Sequence, residues 1–357
     1  MAEKSFKVAR PTINVAGQDK PELAEGLLSL LIVESTSGLY RCEASFSNWG
    51  VINKNIGFLY FDRSLLDFGK TLKIKLGTDS IFDGRILGLE AHFPEGGAPE
   101  LNVLAEDRLQ DLRMTRRTRT FGVTSQVSDS DVVQQIANEH GLTPNVKVSG
   151  PKYKALAQVN QSDLAFLRER ARAIDAEVWV DGSTLYAWSR TQRGGGKLEI
   201  TYGRDLRSFS VLADLANQRT GVTVSGWDVA GKQGLKYQAT DSVLSGELNG
   251  GDSGQSILTS AFGKREEAYA HTVPLTREEA RAEAEAFFKL SARRFVVGRG
   301  IADANSQLRV GSSVSLKGLG PLFSGKYYLS EVMHLFDGKL GIRTEFSAER
   351  PGLGKAQ

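Results

Sequence analysis

The sequence is poor in the residues that usually build catalytic and metal sites. It has one cysteine, Cys42, and four histidines among 357 residues. A single cysteine excludes an intrachain disulfide, and no two histidines have the spacing of a helical zinc site. The G-x-S-x-G, H-E-x-x-H and P-loop motifs are also missing from the sequence. We therefore expect no catalytic residue, no metal site and no cofactor, and we predict that the protein is not an enzyme.

Long hydrophobic runs are missing as well. The longest apolar run, residues 27–33 with Ser29 inside it, is far shorter than the roughly 20 residues that a membrane-spanning helix needs. The N-terminal stretch MAEKSFKVARPTINVAG contains no apolar segment of the length found in signal peptides. The lone cysteine fits folding in a reducing compartment. These features predict synthesis in the cytoplasm without a signal peptide, and no integral membrane segment.

Neither sign of charge is in large excess. The chain has 45 basic and 42 acidic residues, a formal net charge of +3, so we expect no nucleic-acid binding. The one dense basic run is RLQDLRMTRRTRTFG, and its candidate interface residues are Arg113, Arg116, Arg117 and Arg119.

This basic run allows two interpretations. It could be a patch for phosphate or nucleic acid, but Asp107 and Asp111 dilute its charge and no aromatic residue before Phe121 offers a surface for base stacking. It could instead be a charged seam between domains or subunits. The second interpretation is favoured because acidic residues are interspersed with the arginines.

The chain is long enough to form two or three domains. Residues 1–114 read as short alternating strands between turn signals, and residues 115–190 combine helical and hairpin patterns. Residues 191–357 return to strand patterns, with a helical insertion at about 240–295. The predicted fold class is mainly β with an α+β insertion: two similar β-barrel domains plus a small α+β domain.

Three helices have recognisable start signals. Capping residues occur from Ser128 to Asp131 in SDSDVVQQIANEHGL, Ser162 precedes DLAFLRERA, and Thr276 with Glu279 forms a T-x-x-E capping box before the next apolar stripe. Between these helices, RTQRGGGK at residues 190–197 is predicted to be a flexible joint. SGELNGGDSGQS at residues 245–256 has little apolar content and is predicted to be a mobile surface loop.

One three-strand pattern occurs twice. FGKTLKIKLG, FDGRILGLEAHF and LNVLAEDR, between residues 68 and 108, match VGSSVSLKGLG, FSGKYYLSEVMHLF and IRTEFSAER, between residues 310 and 350. Any two antiparallel meanders resemble one another, but three segments in the same order at nearly the same spacing favour an internal duplication. Gly84 and Gly325 follow FD and FS in the two copies and are predicted to be structural turn residues with positive φ.

Four longer stretches resemble a known family. They are APELNVLAEDRLQDLRMTRRTRTF, QVNQSDLAFLRERA, GRDLRSFSVLADLANQRTGVTVSGWD and LRVGSSVSLKGLGPLFSGKYYLSEVMHLFDGKLGIRTEF. Together they resemble the phage late control D proteins, which include the hub half of VgrG and of the spike proteins of extracellular contractile injection systems. The resemblance runs from about Pro11 to Arg350.

The resemblance implies a structural baseplate hub of a contractile phage tail or phage-like injection system, assembled in bacteria. Such a hub is a homotrimer that joins a hexameric inner tube to a trimeric spike and contacts other baseplate proteins. Three chains with two similar barrels each would present six similar units to the tube and threefold symmetry to the spike. The chain stops at RPGLGKAQ, where VgrG continues into a neck and needle, so the spike is expected to be a separate protein.

Two other functions stay open at the level of sequence. One is a baseplate-associated peptidoglycan hydrolase, which would require a cleft with paired acids. The other is a host-surface binding module, which would expose aromatic or polar loops at a tip.

Overall fold

The structure, a computed structural model, describes residues 10–52, 54–193, 198–270 and 272–354. The glycines of the predicted joint at residues 194–196 and His271 lie outside the described residues. Strands dominate the fold, as the sequence predicts. No helix in the described ranges is both long and apolar enough to span a membrane.

The N-terminal segment consists almost entirely of strands. Its elements are β1 (Thr12–Val15), β2 (Gln18–Asp19), α1 (Pro21–Gly26), β3 (Leu27–Ser35), β4 (Arg41–Ser47), β5 (Trp49–Ile52), β6 (Asn55–Phe58), β7 (Thr71–Leu76), β8 (Asp79–His92) and β9 (Glu100–Glu106).

The middle segment mixes helices with short strands. Its elements are α2 (Gln110–Arg113), β10 (Arg116–Phe121), β11 (Val127–Ser128), α3 (Asp129–Glu139), β12 (Thr143–Lys147), β13 (Lys152–Tyr153), β14 (Leu156–Ser162), α4 (Asp163–Ala173), β15 (Ala176–Asp181), β16 (Thr184–Ser189) and α5 (Arg190–Arg193).

The C-terminal segment returns to strands around a partly helical insertion. Its elements are β17 (Leu198–Thr201), β18 (Leu206–Ala213), β19 (Gly221–Asp228), β20 (Gln233–Ala239), a 3₁₀ helix (Asp241–Leu244), β21 (Asp252–Ser253), α6 (Gly254–Phe262), β22 (Glu266–Tyr269), α7 (Arg277–Ala292), β23 (Val296–Asp303), β24 (Ser313–Lys317), α8 (Gly320–Phe323), β25 (Gly325–Asp337), β26 (Gly341–Arg350) and β27 (Gly352–Leu353).

The three predicted helix starts are confirmed. The side chains of Ser128, Ser162 and Thr276 each accept a hydrogen bond from a backbone N–H in the first turn of their helix. At Thr276 the box is not reciprocal, because Glu279 accepts from the N–H of Leu275. Capping removes unsatisfied donors at each start.

Both halves of the protein contribute to one 13-stranded sheet. Its main order is β18-β23-β26-β25-β3-β4-β9-β8-β7-β1-β2, with β24 pairing with β25 and β17 pairing with β24. The two predicted barrels are not confirmed: no closed barrel is found in the described chain. The physical reason is the antiparallel pairing of β3 with β25, which joins the first half to the second. A single hydrophobic core accordingly includes Ile32 and Leu72 from one half and Val332 and Phe346 from the other.

Within this sheet the same five-strand arrangement occurs twice. The order β7-β8-β9-β4-β3 in the first half corresponds to β24-β25-β26-β23-β18 in the second, and the strands follow one another along the chain in the same sequence. Two β-bulges recur as well: the shift at Leu27/Ser29 corresponds to that at Leu206/Ser208. The shift at Ile86/Gly88 corresponds to that at Leu329/Glu331.

Each half carries a different insertion. The β5–β6 hairpin lies between β4 and β7, and β19–β22 with α6 and α7 lie between β18 and β23. The second insertion has its own small core, which includes Val224, Ala284 and Phe288, and the middle segment has another around Ile136 and Leu167. The last residues of the predicted mobile loop instead form β21 and the start of α6, because β21 pairs with β27.

The two predicted turn glycines are not equivalent to each other. Gly84 pairs with Leu72 as Tyr327 pairs with Val314, so Tyr327 and not Gly325 takes the place of Gly84. Gly84 lies inside β8 and has no positive φ, and a Cβ there would be 2.3 Å from the carbonyl oxygen of Glu106. Gly325 begins β25 with φ +140°, and its Cβ would be 2.7 Å from Nη1 of Arg350. Glycine is therefore required at position 84 because the backbone of Glu106 comes too close for a side chain. At position 325 it is required because the positive φ disfavours other residues.

Candidate interaction surfaces

The basic run lies mainly on the middle segment. Arg113 Nη1 and Nη2 are 3.2 and 2.5 Å from the carboxylate of Glu106. Arg116 is exposed, and its Nη1 donates to the carbonyl oxygen of Asn160 at 3.0 Å. Neither residue is buried, so neither is needed to complete a core.

Arg117 and Arg119 belong to a network inside the middle segment. Both guanidinium groups donate to Glu139, at 2.7 and 2.6 Å, and both approach the buried Asp163, at 3.4 and 2.8 Å. His140 Nε2 lies 2.8 Å from the same carboxylate. Burial alone would raise the pKa of Asp163, but hydrogen bonds from its neighbours and the two arginine charges outweigh burial and lower it. These two arginines therefore stabilise their own segment.

The seam between the three segments is built by other arginines. Arg193 is buried, and its Nη1 donates to Glu177 at 2.8 Å while its Nη2 donates to the Tyr40 hydroxyl at 2.7 Å and to the Val310 carbonyl at 3.2 Å. The Tyr328 hydroxyl donates to the same Glu177 carboxylate at 2.5 Å. One guanidinium thus connects the N-terminal, middle and C-terminal segments.

Arg293, at the end of α7, makes a second such connection. Its side chain is 2% exposed and donates to both oxygens of Asp175 and both oxygens of Glu247. Asp175 lies in the middle segment, and Glu247 lies in the stretch predicted to be a mobile loop. A buried charge is tolerated only when it is paired in this way, so the pairing fixes the insertion against the middle segment.

Arg190 extends the seam toward the last strand of the main sheet. It lies 2.5 Å from Glu349, and its guanidinium stacks over the Tyr328 ring at 4.0 Å. The sequence-based prediction of a flexible joint was therefore wrong for α5, which holds both Arg190 and Arg193. Sequence reasoning missed these residues because a glycine run follows them; the only local signal is two arginines directly after an apolar strand.

A buried carboxyl lies where the first segment joins the second. Asp107 accepts hydrogen bonds from the backbone N–H of Tyr40 at 2.8 Å and of Leu109 at 2.9 Å. Burial raises the pKa of Asp107 to about 7, against the opposing effect of these two bonds. The carboxyl fixes the direction in which the chain leaves β9.

The β3–β25 pairing is reinforced by a buried carboxylate. Glu34 accepts from Arg309 Nε at 2.5 Å and from the backbone N–H of Val310 at 3.0 Å. On β25, His334 is fully buried and its Nδ1 lies 3.1 Å from the Thr344 hydroxyl. Burial, with Arg309 nearby, lowers the pKa of His334 to about 3, so the ring is neutral. The two halves are thus locked together by specific polar contacts as well as by apolar packing.

The β5–β6 hairpin exposes apolar and aromatic side chains. Phe58 stacks on Phe61 with ring centroids 4.9 Å apart, and Trp49 packs edge-on against Phe58 at 5.2 Å. Phe93, just after β8, joins this cluster at 5.8 Å from Phe61. Exposed patches of this kind are typical of contact sites for other proteins.

The cavities offer little that resembles a reaction centre. One cavity of about 730 Å³ lies beside the edge strand β18, between Leu212, Phe295 and Val297. Within the described part of the chain, no group of three or more histidine, cysteine, aspartate or glutamate residues is arranged to hold a metal ion.

Among the solved structures that share this fold are phage tail proteins. The 43 kDa tail protein of prophage MuSo2 from Shewanella oneidensis aligns with a TM-score of 0.71 at 12% identity, over 96% of this chain and 98% of that one. A tail protein from Neisseria meningitidis aligns with a TM-score of 0.68 at 12% identity, over 97% of both chains.

A third structure, the Escherichia coli c3393 protein, is described as a component of the type VI secretion system with structural similarity to the T4 tail proteins gp27 and gp5. It aligns with a TM-score of 0.53 at 13% identity, over 92% of this chain and 76% of that one. At these identities the alignments show a shared fold.

No match was found among curated proteins. Residues 55–337, most of the described chain, match the family model of the Alg8 N-terminal domain. The chain therefore belongs to the Alg8 N-terminal domain family.

Proposed function

We propose that this protein is the structural baseplate hub of a contractile phage tail or phage-like injection system. Three copies form a ring that joins a hexameric inner tube on one side to a separate trimeric spike on the other, within a baseplate of further proteins. The protein works without catalysis or a cofactor. It transmits the force of contraction from tube to spike.

The observation that carries this proposal is the repeated five-strand arrangement. Two units with the same strand order and the same two bulges occur in one chain. Three chains therefore supply six similar units, which can match a sixfold tube, while the whole chains keep threefold symmetry for the spike. The shared fold with phage tail proteins supports this assignment.

The ion pairs between the segments support a protein that transmits force as a rigid body. Arg193 and Arg293 each tie segments together through buried ion pairs. Residues 1–114, 115–190 and 191–357, proposed as three domains, would then move as one body. The arginines at 113, 116, 117 and 119 are proposed to contact a neighbouring subunit or baseplate protein.

Imaging of intact particles tests the proposal. An electron cryomicroscopy map is expected to show three copies on the particle axis, between the tube and the spike. A particle with six copies or one copy at the axis, or with this chain at the tip or on the sheath, contradicts the hub assignment.

A hydrolase assay tests the absence of catalysis. Purified protein is expected to release no fragments from peptidoglycan, with a known cell-wall hydrolase as the positive control. Cleavage that persists through purification and disappears on substitution of a single acidic residue would replace the structural function by an enzymatic one.

A further inference from the structure

The two halves of the chain meet through the pairing of β3 with β25. Because each half repeats the same five strands, the chain contains a second pair of strands that correspond to β3 and β25. β3 and β25 pair antiparallel from Ser29 opposite Asp337 to Ser35 opposite Glu331. A hydrogen bond from the Thr36 N–H to the Ser330 carbonyl at 3.1 Å extends the ladder. This pairing joins the edge strand of the first five-strand unit to β25, the second strand of the other unit.

The two bulges define which residues correspond in the other unit. On the edge strands Leu27/Ser29 corresponds to Leu206/Ser208, so Ile32 of β3 corresponds to Val211 of β18. In the long strands Ile86/Gly88 corresponds to Leu329/Glu331, so His334 of β25 corresponds to Ala91 of β8. The partners of a second, equivalent junction are therefore β18 and residues 88–92.

Both of these edges are open. Among the described residues β23 is the only strand paired with β18, apart from an isolated bridge between Leu206 and Tyr202, and residues 88–92 pair with β9 alone. Leu212 on β18 is 64% exposed and Phe93 is 62% exposed, whereas Phe336, which corresponds to Phe93, is 2% exposed. β18 contains neither proline nor lysine, two residues that commonly protect an edge strand from pairing.

One chain cannot close these two edges against each other. β18 lies at one end of the main sheet order, and β8 lies on the far side of β3, β4 and β9. A second copy brings the missing partner, because every copy carries one open edge of each kind. Such a contact is head-to-tail and generates a ring or a filament.

We propose that β18 of one copy pairs antiparallel with residues 88–92 of a second copy, in the register of β3 with β25. Val211 then lies opposite Ala91, Ser210 opposite His92 and Leu212 opposite Glu90. This inference rests on the proposed ring of three chains and names the surface through which the chains meet. The resulting ring alternates one junction within a chain and one between chains.

A cavity next to β18 fits the segment that the second copy would bring. The Gly69 N–H bonds to the Ile86 carbonyl as the Gly311 N–H bonds to the Leu329 carbonyl, so Phe68 corresponds to Val310. Val310 is 5% exposed and contacts Glu34 at the end of β3, whereas Phe68 is 53% exposed. Phe68 of the second copy is thus brought to the end of β18, where Leu212 and Asp214 line a cavity of about 730 Å³.

Disulfide trapping tests the register. Ser210→Cys and His92→Cys are combined in one chain, since residues directly opposite in an antiparallel pair have Cα atoms about 4.5–5.5 Å apart, a distance that a disulfide can bridge. The control combines Ser210→Cys with Ala91→Cys, because a shift of one residue turns the side chain to the other face of the sheet. Cys42 is buried and stays in both variants.

After mild oxidation at the highest soluble concentration, the first variant is expected to give a ladder of covalent species that ends at the trimer. The control is expected to stay monomeric on a non-reducing gel. Phe68→Ala, added to the first variant, is expected to slow cross-linking several-fold while leaving the melting temperature unchanged.

The outcomes separate this inference from the proposed function. A ladder that continues beyond the trimer upholds the strand pairing and contradicts the threefold ring. Equal cross-linking of both variants, or none in either, overturns the pairing. If particles still contain three copies at the axis in that case, the hub assignment stands and the copies meet through another surface.

Discussion

Strands β3 and β18 occupy the same position in the two five-strand units, yet one is covered and the other is open. On β3, Leu30, Ile32 and Glu34 are buried against β25. On β18 the corresponding positions, Phe209, Val211 and Ala213, are each partly exposed. The difference shows that strand order alone does not decide burial. The next strand in the sheet decides it, and among the described residues no further strand lies beside β18.

The largest expected loss of stability follows from removing the ion pair between Glu34 and Arg309 at the β3–β25 junction. Glu34→Ala removes the acceptor of Arg309 and of the Val310 N–H. Loss of one partner of a buried pair costs about 3–5 kcal/mol. We expect about 2–4 kcal/mol here, because the Arg309 side chain is 35% exposed and can reach water.

Urea unfolding measures this change. The matched control is Glu43→Ala on the neighbouring strand β4, where the carboxylate is about half exposed and lies 3.8 Å from Arg41. The control is expected to change the free energy of unfolding by less than about 0.5 kcal/mol. Equal effects of the two substitutions would show that the β3–β25 junction is no more critical than the surface.

A second prediction compares the two glycines of the long strands. Gly84→Ala places a Cβ 2.3 Å from a backbone carbonyl oxygen that has no room to move, so we expect a loss of about 2–3 kcal/mol. Gly325→Ala meets only the flexible end of Arg350 and a strained φ, and is expected to cost about 1 kcal/mol. Thermal and urea unfolding of both variants rank them, and the reverse order would contradict the assignment by close approach.

The repeat was visible in the sequence, but its register was not. Matching FDG with FSG aligns Gly84 with Gly325, whereas the strand pairs align Gly84 with Tyr327. The segments share a local alternation of apolar residues, and two additional residues in the second copy shift the alignment without disturbing that alternation. Register depends on pairing with distant strands, which a local pattern does not encode.

Features with local causes were predicted, and features with distant causes were not. The helix starts at Ser128, Ser162 and Thr276 follow from capping within one turn. The β3–β25 pairing and the Arg293 contacts connect residues far apart in the chain, so no window of sequence reveals them. The arginines that join the segments, Arg193 and Arg293, lie outside the dense arginine run.

The third prediction uses pH to compare the buried and the exposed histidine of the two long strands. His334 is buried with its pKa lowered from 6.5 to about 3, while His92 is exposed. The unfolded chain binds a proton at His334 below pH 6.5 and the folded chain does not. Above pH 6.5 the titration of this histidine does not change the free energy of unfolding. As the pH falls from 6.5 toward 3, the free energy of unfolding decreases by about 1.4 kcal/mol per pH unit.

Unfolding free energies measured from pH 7 to pH 4 test this sign. His334→Gln is expected to flatten the acid side of the profile, and His92→Gln is expected to leave it unchanged. Because Asp107 has a raised pKa and acts in the opposite direction, the difference between wild type and each variant is the relevant quantity. Identical profiles for wild type and His334→Gln would show that the ring is protonated in the folded state.

The smallest effect on stability is expected on the exposed basic run, where an effect on assembly should appear instead. The exposed side chain of Arg116 donates to a backbone carbonyl, so Arg116→Glu should change the free energy of unfolding by less than about 0.5 kcal/mol. Arg117 is a poorer probe, because its reversal would place a negative charge beside Glu139 and the buried Asp163 and destabilise its own segment.

If the run contacts a neighbour, the reversed charge of Arg116→Glu recurs in every copy around the ring and opposes each contact. Fewer complete particles are then expected from cells that produce this variant. Arg265→Glu is the control, since Arg265 is also exposed and donates to a backbone carbonyl but lies outside the run. A normal particle yield with Arg116→Glu, or an equal loss with the control, would remove the basic run from the candidate interfaces and leave the open strand edges as the contact between copies.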